Sequence, residues 1–477
     1  MAGRFDNIHP GLTCEHARQI LLQPVNELES KSDYYTAVSH LINCPGVETE
    51  HALVSLLEHP LNDQAVNIAK RKAVEVLGKF GAVYLTSVIG RCLWSDDQYL
   101  VENTICALKQ LKCNQPELIA KMINLLNENL HNQRALIQCL ASLSVNASLP
   151  SIVALKNAES PGVKGAAISA DAQLSGNRKQ LSEITDHLLL SNQMDRHCAI
   201  QDLIDAQAIE YLPQIIVSPV SPAFRVRACR LLLDSQQKYS ELIQSIHLVD
   251  SVFIDSPSDI QIVHEYDVTP DPAFLVRELF NTDFSRCYLA LNSLVSVPSD
   301  SLWPLLSEQW NEEAHNDYGA HYFFMRLFGS RDDWPQHAIT RIDEILKASA
   351  INMRPQFQKS RPAAIYSIAQ LNPDRFIELI PTFLDGQYLP PWDCRYAVML
   401  ALEAISDQLE RAQLDEILIP LVDDDDCFVK AKLATMQLVY SLSLFLARWK
   451  QLRYVLNGKI VLFRACMCLY GIVWSLH

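Results

Sequence analysis

The sequence predicts an all-α fold, an α-solenoid (superhelix) of HEAT-like or armadillo-like helical repeats. Three observations predict it: glycine is scarce, apolar residues recur at helical spacing, and related stretches return at a nearly constant period. Only 14 of the 477 residues are glycine, and glycine supplies the positive-φ turns on which sheets, barrels and phosphate-binding loops depend. We therefore expect helices joined by short connections.

The repeat is defined by a stretch that runs from Arg71 to Leu77 and contains small and apolar residues. Related stretches follow at steps of 31, 32, 31, 32 and 29 residues, and they end at Leu108, Leu140, Asp171, Leu203 and Leu232. The pattern returns at steps of 33 and 34 residues around Ala364, Ala397 and Ala431. Such a period is typical of stacked helical hairpins, each too small to bury its apolar face alone.

A second helix is expected between successive stretches. Residues 118–126 carry apolar side chains at helical spacing, and Pro116, Pro150 and Pro213 stand near first helical turns, where the missing N–H of proline costs no hydrogen bond. Each repeat is therefore predicted to be two antiparallel helices. The chain is expected to consist of N-terminal repeats (1–234), an irregular helical middle segment (235–353), C-terminal repeats (354–432) and an atypical apolar, basic tail (433–477).

Asp171 stands where the other early repeats have leucine. A carboxylate on an apolar stripe is unfavourable unless it is paired or faces a groove. Two interpretations stay open: the aspartate marks a groove, or the register of this repeat is misplaced.

Composition argues against several classes of function. The net charge is −15 and the first 427 residues contain no basic stripe, so no nucleic-acid partner is expected. Neither common glycine-rich nucleotide-binding motif is present. The thirteen cysteines are scattered, without C-x-x-C or histidines at zinc spacing, so we expect free thiols on apolar helix faces and no metal site. Residues 1–10 are polar and no apolar run follows them, which favours a cytoplasmic location over secretion.

The end of the chain differs from the rest. Residues 428–477 contain seven basic and no acidic residues, so residues 1–427 carry a net charge of −22 (−15 minus 7). Residues 460–476 are apolar except for Arg464, but this stretch is short for a membrane span and the arginine opposes one. We expect a terminal helix packed on the repeats, with a membrane span or a divergent, frame-shifted tail as alternatives.

Three stretches carry a family resemblance: residues 312–322, 354–364 and 282–290. The first is long and rich in polar and aromatic residues, which makes it specific. From about Phe5 to Lys432 the chain resembles the phycobilin lyases of the CpeY, MpeY and MpeZ type, which attach phycoerythrobilin to the phycoerythrin α-subunit. The resemblance implies a cytosolic cyanobacterial enzyme that joins a cysteine of an apo-phycoerythrin α-subunit to a linear tetrapyrrole. Some members also isomerise the bilin to phycourobilin; the bilin is a substrate, and no cofactor is implied.

Binding and attaching a bilin requires aromatic or apolar walls, cations for two propionates, a carboxylate near the pyrrole N–H groups, and help with proton transfer. Residues 315–326 offer this mixture on what we expect to be one helix. Asp317 is the first candidate for the ring nitrogens, Tyr318 for stacking or proton donation, and His315 or His321 for a proton shuttle. Four residues are expected to line one wall: Tyr318, His321, Tyr322 and Met325. The alternative is an ordinary polar and aromatic surface between repeats.

Further substrate-binding candidates come from the other two family-like stretches, and they are Asp283, Arg286, Arg354, Lys359 and Arg361. Their cations suit propionates, since guanidinium groups bind carboxylates through two parallel hydrogen bonds. Basic residues also begin helices in any helical array, and that alternative stays open for Arg361 and Arg395. Cys287 is either a core thiol or a transient bilin carrier. The run 423–426 of four aspartates is expected to be a solvated loop, with a weak divalent-cation site as the alternative.

The sequence thus predicts a bilin lyase, and Asp317→Asn is expected to abolish bilin transfer while leaving the helix content intact. Two other functions stay open. One is a non-catalytic bilin chaperone or phycobilisome assembly scaffold. The other is a helical-repeat adaptor that binds only protein.

Overall fold

The computed structural model describes residues 11–60, 63–128, 132–234, 239–384 and 390–436. Helices make up the regular secondary structure of these residues, and none of them lies in a β-strand. The chain forms two compact units, Met1–Val220 (unit 1) and Ser221–His477 (unit 2). The predicted all-α fold is confirmed. The boundary between the units lies at Val220, whereas the first set of repeats was predicted to extend to residue 234.

The α-helices of unit 1 are α1 (Cys14–Ile20), α2 (Asp33–Leu41), α3 (Val47–Leu57), α4 (Gln64–Phe80), α5 (Thr86–Gly90), α6 (Gln98–Gln110), α7 (Pro116–Asn127), α8 (Gln133–Ser142), α9 (Leu149–Ala154), α10 (Pro161–Ser175), α11 (Leu181–His187), α12 (Gln193–Asp205) and α13 (Leu212–Ile216). Helices α4, α6, α8, α10 and α12 pack on one another in succession. Each also packs against the odd-numbered helix before it. The repeated stretches from Leu77 to Leu203 lie on this even-numbered series, which confirms the predicted solenoid of hairpins within unit 1.

Local sequence explains where these helices begin and end. Asp63 and Asp97 accept hydrogen bonds from the first backbone N–H groups of α4 and α6, and Pro116 and Pro161 occupy the first turns of α7 and α10. Helix α4 ends at Gly81, whose φ of +70° is accessible to glycine at little cost. Caps at nearly regular intervals therefore set the period that the sequence displays.

Asp171 lies on the buried side of α10 and is 4% exposed. Its carboxylate accepts hydrogen bonds from Lys156 Nζ at 2.6 Å and from Ser175 Oγ at 2.7 Å. Burial alone would raise the pKa of Asp171, but the hydrogen bonds from Lys156 and Ser175 lower it below its ordinary value. The predicted register is therefore correct, and the aspartate is a paired core group and not the marker of a groove.

Cysteines in unit 1 depart from expectation at one place. Cys14, at the start of α1, forms a disulfide with Cys44, which follows α2. The expectation of free thiols is wrong for this pair, because packing of α1 on α2 brings the two residues together. Nine other described cysteines are free.

The α-helices of unit 2 are α14 (Pro222–Asp234), α15 (Tyr239–Ile254), α16 (Pro272–Glu278), α17 (Phe284–Leu294), α18 (Ser299–Gln309), α19 (Ala320–Gly329), α20 (Gln336–Ala350), α21 (Ser360–Leu371), α22 (Pro373–Phe383), α23 (Trp392–Ala404) and α24 (Arg411–Leu418). Residues 427–436 are also helical. Helices α17, α19, α21 and α23 pack on one another in succession. Hairpin stacking thus continues through the middle segment, whose irregular parts are residues 255–271 and the π-helical turn Trp310–Ala314 with the five residues after it.

A buried polar network joins four helices of unit 2. Asp255, which follows α15, accepts hydrogen bonds from Arg225 at 2.8 Å, from the Tyr288 hydroxyl at 2.6 Å, and from the Tyr322 hydroxyl. Arg326 donates to the backbone carbonyls of Ile254 and Asp255. All these side chains are nearly inaccessible to solvent. Because an unpaired buried charge is strongly destabilising, this network fixes how α14, α15, α17 and α19 meet.

The aspartate run lies in a loop, as expected, but only Asp423 and Asp425 are exposed, and the other two aspartates pair with arginines. Asp424 accepts two hydrogen bonds from Arg395, at 2.6 and 2.7 Å, and its side chain is 4% exposed. Asp426 accepts from Arg230 at 2.8 and 2.9 Å. Asp425 is mostly exposed and contacts Arg395 at 3.2 Å. Because Arg395 and Arg230 occupy the carboxylates of Asp424 and Asp426, these groups are not available to bind a divalent cation. Arg395 therefore has a structural role.

Among the described residues, no helix is both long enough and apolar enough to cross a membrane. Residues 437–477, which include the apolar stretch 460–476, lie outside the described residues.

Candidate functional site

Unit 2 contains a cavity of about 500 Å³. It lies between α14, α15, α19, α23 and the start of α21. Most of its wall is apolar or aromatic, and this part is formed by Val226, Leu231, Val252, Phe253, Pro362 and Trp392. Size and lining are those of sites that bind small organic molecules. We call it the unit 2 cavity.

A few charged groups converge on the unit 2 cavity. The cations are Arg227, Arg230 and Lys359, and the carboxylate is Asp393. An apolar enclosure with a small number of charged groups is suited to a small organic molecule, whose orientation the charged groups fix.

Arg230 is held in place on both sides. Its guanidinium group lies 4.5 Å from the ring centroids of Trp392 and Phe428, and it donates to Asp426. The aspartate run therefore positions a cation at the cavity wall, with the Trp392 ring beside it.

Lys359 is the most unusual group of the cavity. It is 7% exposed, and among the described residues its Nζ has no hydrogen-bond partner. Nζ lies 3.0 Å from the ring centroid of Tyr318 and 5.0 Å from that of Phe284. Burial lowers the pKa of Lys359 to about 7, although the nearby carboxylate of Asp317 acts in the opposite direction. A buried amine without a partner in a cavity wall can bind an anion or exchange a proton near neutral pH.

Asp393 is the acidic group of the cavity wall and is 5% exposed. Burial raises its pKa above the usual value, and Arg361 and the backbone N–H of Cys394 partly oppose this. The N–H of Cys394 donates to Asp393 at 3.0 Å. A carboxyl group in this setting can accept hydrogen bonds from ring N–H groups of a bound molecule.

The cavity opens along one face of α14. Ala223, Arg227 and Leu231 are spaced four residues apart, all three line the cavity, and all three are exposed. Arg227 has no ion pair or hydrogen-bond partner within the described part of the chain. This edge of α14 is therefore a route into the cavity, and it presents a cation to whatever enters.

Two of the predicted site residues line this cavity, Tyr322 and Lys359. The hydroxyl of Tyr322 is occupied by Asp255, so this tyrosine offers a ring edge and not a free proton donor. Tyr318 is half exposed and contacts Lys359 through its ring. Asp317 acts on Lys359 electrostatically. The family-like segments around 318 and 359 thus contact each other through Tyr318 and Lys359.

The expectation of one helical face over residues 315–326 is wrong, because α19 begins only at Ala320. Asp317 Oδ1 accepts hydrogen bonds from the backbone N–H groups of Gly319 and Ala320, at 2.7 and 2.6 Å, and so starts the helix. His315 and Asp317 line a separate, shallow depression of about 390 Å³, and His315 Nδ1 is 3.0 Å from the carbonyl oxygen of Trp310.

Three other candidates lie in the core. His321 stacks on Phe357 with ring centroids 4.1 Å apart, and burial lowers its pKa to about 4, so it is neutral at physiological pH. Met325 is 0% exposed because all of α19 is buried. Arg361 is 4% exposed and donates to the carbonyl oxygens of Asn352 and Arg354, at 3.0 and 3.2 Å. None of the three lines the unit 2 cavity.

The remaining candidates serve local structure. Asp283 accepts a hydrogen bond from the N–H of Ser285 at the start of α17 and lies 3.0 Å from His264. Arg286 pairs with Glu278 at 2.9 Å, and Arg354 is exposed. Cys287 is fully buried, which raises the pKa of its thiol, so the alternative of a core thiol is favoured over that of a bilin carrier.

Sequence reasoning missed Arg227, Arg230, Trp392 and Asp393. They lie on α14 and α23, more than a hundred residues apart, and only the packing of unit 2 brings them together. Arg227 gave a local clue, since it is a cation on the exposed face of a repeat helix. Asp393 gave none, because an acidic residue in a first helical turn is common without any function.

Comparison with models of protein families finds no match. The chain is 46% identical over 413 residues to the bilin biosynthesis protein CpeY of Synechococcus sp. (strain WH8020), a match that covers 86% of this chain and 98% of that relative. It is 33% identical over 423 residues to an uncharacterized phycocyanin operon protein Y of Pseudanabaena tenuis (strain PCC 7409), over 88% of this chain and 97% of that relative. A solved complex of CpcE and CpcF of phycocyanin lyase from Nostoc sp. PCC7120 is 21% identical with a TM-score of 0.45, and covers 53% of this chain and 99% of that one. By its identity to CpeY over nearly the full length of that relative, the chain belongs to the CpeY family of bilin biosynthesis proteins.

Proposed function

We propose that the chain is a phycobilin lyase that binds phycoerythrobilin in the unit 2 cavity and attaches it through a thioether to a cysteine of the phycoerythrin α-subunit. One observation carries this proposal. A single cavity of a CpeY-family chain combines aromatic walls, three cations and one carboxylate. A linear tetrapyrrole has a flat conjugated system, two propionates and ring N–H groups, so each of its parts has a complementary group in this cavity.

We assign a propionate to Arg227, which has no ion-pair partner among the described residues, and reserve Lys359 for proton transfer. Trp392 and Phe253 provide aromatic faces, and Arg230 is already engaged by Asp426. Asp393 takes the role that the sequence assigned to Asp317, that of a carboxylate facing the pyrrole N–H groups.

The addition is redox-neutral and has no leaving group, and therefore requires no cofactor. The client's sulfur bonds to the outer carbon of the bilin ethylidene group. The electron pair of the double bond takes up a proton at the adjacent ring carbon, and the thiol proton balances it. Lys359 is the proton-transfer group in this proposal, because it lies in the cavity wall and its pKa of about 7 permits exchange near neutrality. His321 is buried in the core, away from the cavity.

The client protein approaches over the exposed edge of α14. Ala223, Arg227 and Leu231 form the accessible border of the cavity, and an attacking cysteine must reach the bilin from solvent. We also propose a cytoplasmic location, which the nine free cysteines of the described residues support because thiols persist in reducing compartments.

The proposal is tested by producing the chain together with enzymes that make phycoerythrobilin and with apo-phycoerythrin α-subunit. A bilin that stays on the α-subunit after denaturation supports a lyase. A bilin that binds this chain without covalent transfer contradicts the lyase and supports the chaperone or scaffold, and no bound bilin supports the protein adaptor.

The same experiment tests isomerisation, which stays a prediction. Phycourobilin has a shorter conjugated system than phycoerythrobilin, so a lyase-isomerase yields a product whose absorption is shifted to the blue. A product with unshifted absorption supports simple ligation. Replacing the α-subunit by a phycoerythrin β-subunit or a phycocyanin subunit tests the choice of client.

A further inference from the structure

Three metal-binding side chains meet at the beginning of unit 1. Cys14 is the first residue of α1, His40 lies in the last turn of α2, and Cys44 follows that helix. One ring nitrogen of His40 and the two sulfur atoms lie within 4.8 Å of one another. His40 and Cys44 are buried, and Cys14 is half-buried. Among the described residues, no other group of three such side chains has this geometry.

The two sulfur atoms form a disulfide in the structure. A disulfide alone ties α1 to α2 and does not require an imidazole beside it. Two thiolates and one imidazole are, however, three of the four ligands of a common zinc site, and ligand atoms on such a tetrahedron lie about 3.3–3.8 Å apart. The three ligand atoms lie within 4.8 Å of one another, so the side chains can reach this spacing once reduction has separated the two sulfur atoms.

We propose that the reduced form of this cluster binds one Zn²⁺ ion through Cys14, His40 and Cys44, with water in the fourth position. Reduction takes two electrons and two protons from a thiol reductant of the glutathione class, which becomes oxidised to its own disulfide. Zinc binding then releases the two thiol protons, and the neutral imidazole binds without proton loss. The disulfide and the metal exclude each other because both use the same sulfur atoms.

The site would stabilise the first hairpin of the described repeats. Ala17 on α1 and Ala37, Leu41 and Cys44 on and after α2 belong to one buried cluster with α4. A metal or a disulfide that joins α1 to α2 stabilises this cluster under reducing or oxidising conditions, respectively.

The experiment uses the full, untagged chain with Zn²⁺ and a phosphine reductant, followed by gel filtration and elemental analysis. We expect one zinc per chain in the reduced protein and none in the oxidised protein, and zinc should raise the midpoint of thermal unfolding. Co²⁺ in place of zinc should give the spectrum of a tetrahedral thiolate site.

Cys44→Ser and His40→Ala should weaken zinc binding by at least about tenfold, whereas Cys113→Ser, at a buried free thiol, should not. Equal zinc content in reduced and oxidised wild-type chain would overturn the proposal even if the variants fail to fold. Unchanged affinity in a folded Cys44→Ser variant would overturn it as well.

Discussion

Lys359 is a residue whose position, more than its type, indicates a function. Other lysines of these helices, such as Lys72 and Lys164, pair with carboxylates. Lys359 lies between two aromatic rings at a cavity wall and has no hydrogen-bond partner within the described residues. Keeping a buried amine unpaired is unfavourable for folding, which is consistent with a partner supplied by a bound molecule.

Lys359→Met should lower the rate of bilin transfer by roughly 10²- to 10⁴-fold, the usual contribution of a proton-transfer group. Lys359→Arg keeps the cation but does not release its proton, so it should retain bilin binding and lose transfer. Single-turnover transfer and bilin titration measure the two effects. The control is Lys347→Met, a half-buried lysine on α20. Transfer at the wild-type rate in Lys359→Met would remove this residue from the mechanism.

The same substitution should change how stability depends on pH. The pKa of Lys359 is about 7 in the folded chain and 10.5 in the reference state, so between these values the unfolded chain binds more protons and stability rises with pH. Lys359→Met removes this contribution, whose slope is at most about 1.4 kcal/mol per pH unit. Urea unfolding should find the variant more stable than wild type at about pH 6, with the difference shrinking toward about pH 10. A constant difference would contradict the assigned pKa.

Two carboxylates compete for the bilin nitrogens. Asp393→Asn should weaken bilin binding by roughly tenfold, since an amide replaces the charged acceptor in the cavity wall. Asp317→Asn keeps an oxygen for the helix start, so bilin binding should be nearly unchanged. The substitution removes the negative charge of Asp317, which should lower the pKa of Lys359 further and shift the pH dependence of transfer to lower pH. Titration of bilin into both variants measures this, and a larger loss of affinity in Asp317→Asn would restore the assignment made from the sequence.

Lys359, Tyr318 and Tyr322 could be found from the sequence because they lie in short family-like stretches, which can be recognised without knowledge of the fold. The sequence misplaced His321, Met325 and Arg361, because helical periodicity states which residues share a face and not whether that face meets another helix. Helix α19 is buried on all sides, so His321 and Met325 pack in the core, and of its predicted wall residues only Tyr322 reaches the cavity. Asp317 was misjudged for a related reason, since aspartate before a helix is a cap as readily as a ligand.

At the scale of helices, period and capping residues predicted most of what is observed. Repeated stretches lie on the even-numbered helices of unit 1, and Asp63, Asp97, Pro116 and Pro161 begin helices as their types suggest. Partners of buried charges were not predictable, because Lys156 and Asp171 belong to different elements and meet only when α10 packs on the turn before it.

Asp171→Leu restores the leucine of the repeat pattern, yet it should destabilise unit 1 by about 3–5 kcal/mol, because Lys156 is left buried without its partner. The double variant Asp171→Leu/Lys156→Met should recover most of this loss, since replacing both members of a buried ion pair by apolar groups is commonly neutral. Urea unfolding of the two variants and wild type measures the effect. Equal stability of the single and double variants would contradict the pairing.

At the scale of the whole molecule, the repeat pattern does not distinguish the residues that line the cavity from residues at similar positions in other helices. Trp392 and Asp393 begin α23, and residues 222–231 belong to α14. The repeat period explains that each segment is a helix. The period does not predict where a cavity forms between helices. That depends on side-chain volumes and on the buried network around Asp255.

The account depends above all on the unit 2 cavity being the place where bilin binds. Ala223 is an exposed residue at the cavity border, and Ala348 is an exposed residue on α20 of the same unit, outside the cavity lining. A tryptophan at Ala223 occupies the entrance without entering the core, and a tryptophan at Ala348 is the matched control. Titration of phycoerythrobilin should give Kd values at least about tenfold higher for Ala223→Trp than for wild type and Ala348→Trp. Wild-type affinity in Ala223→Trp would contradict the central claim.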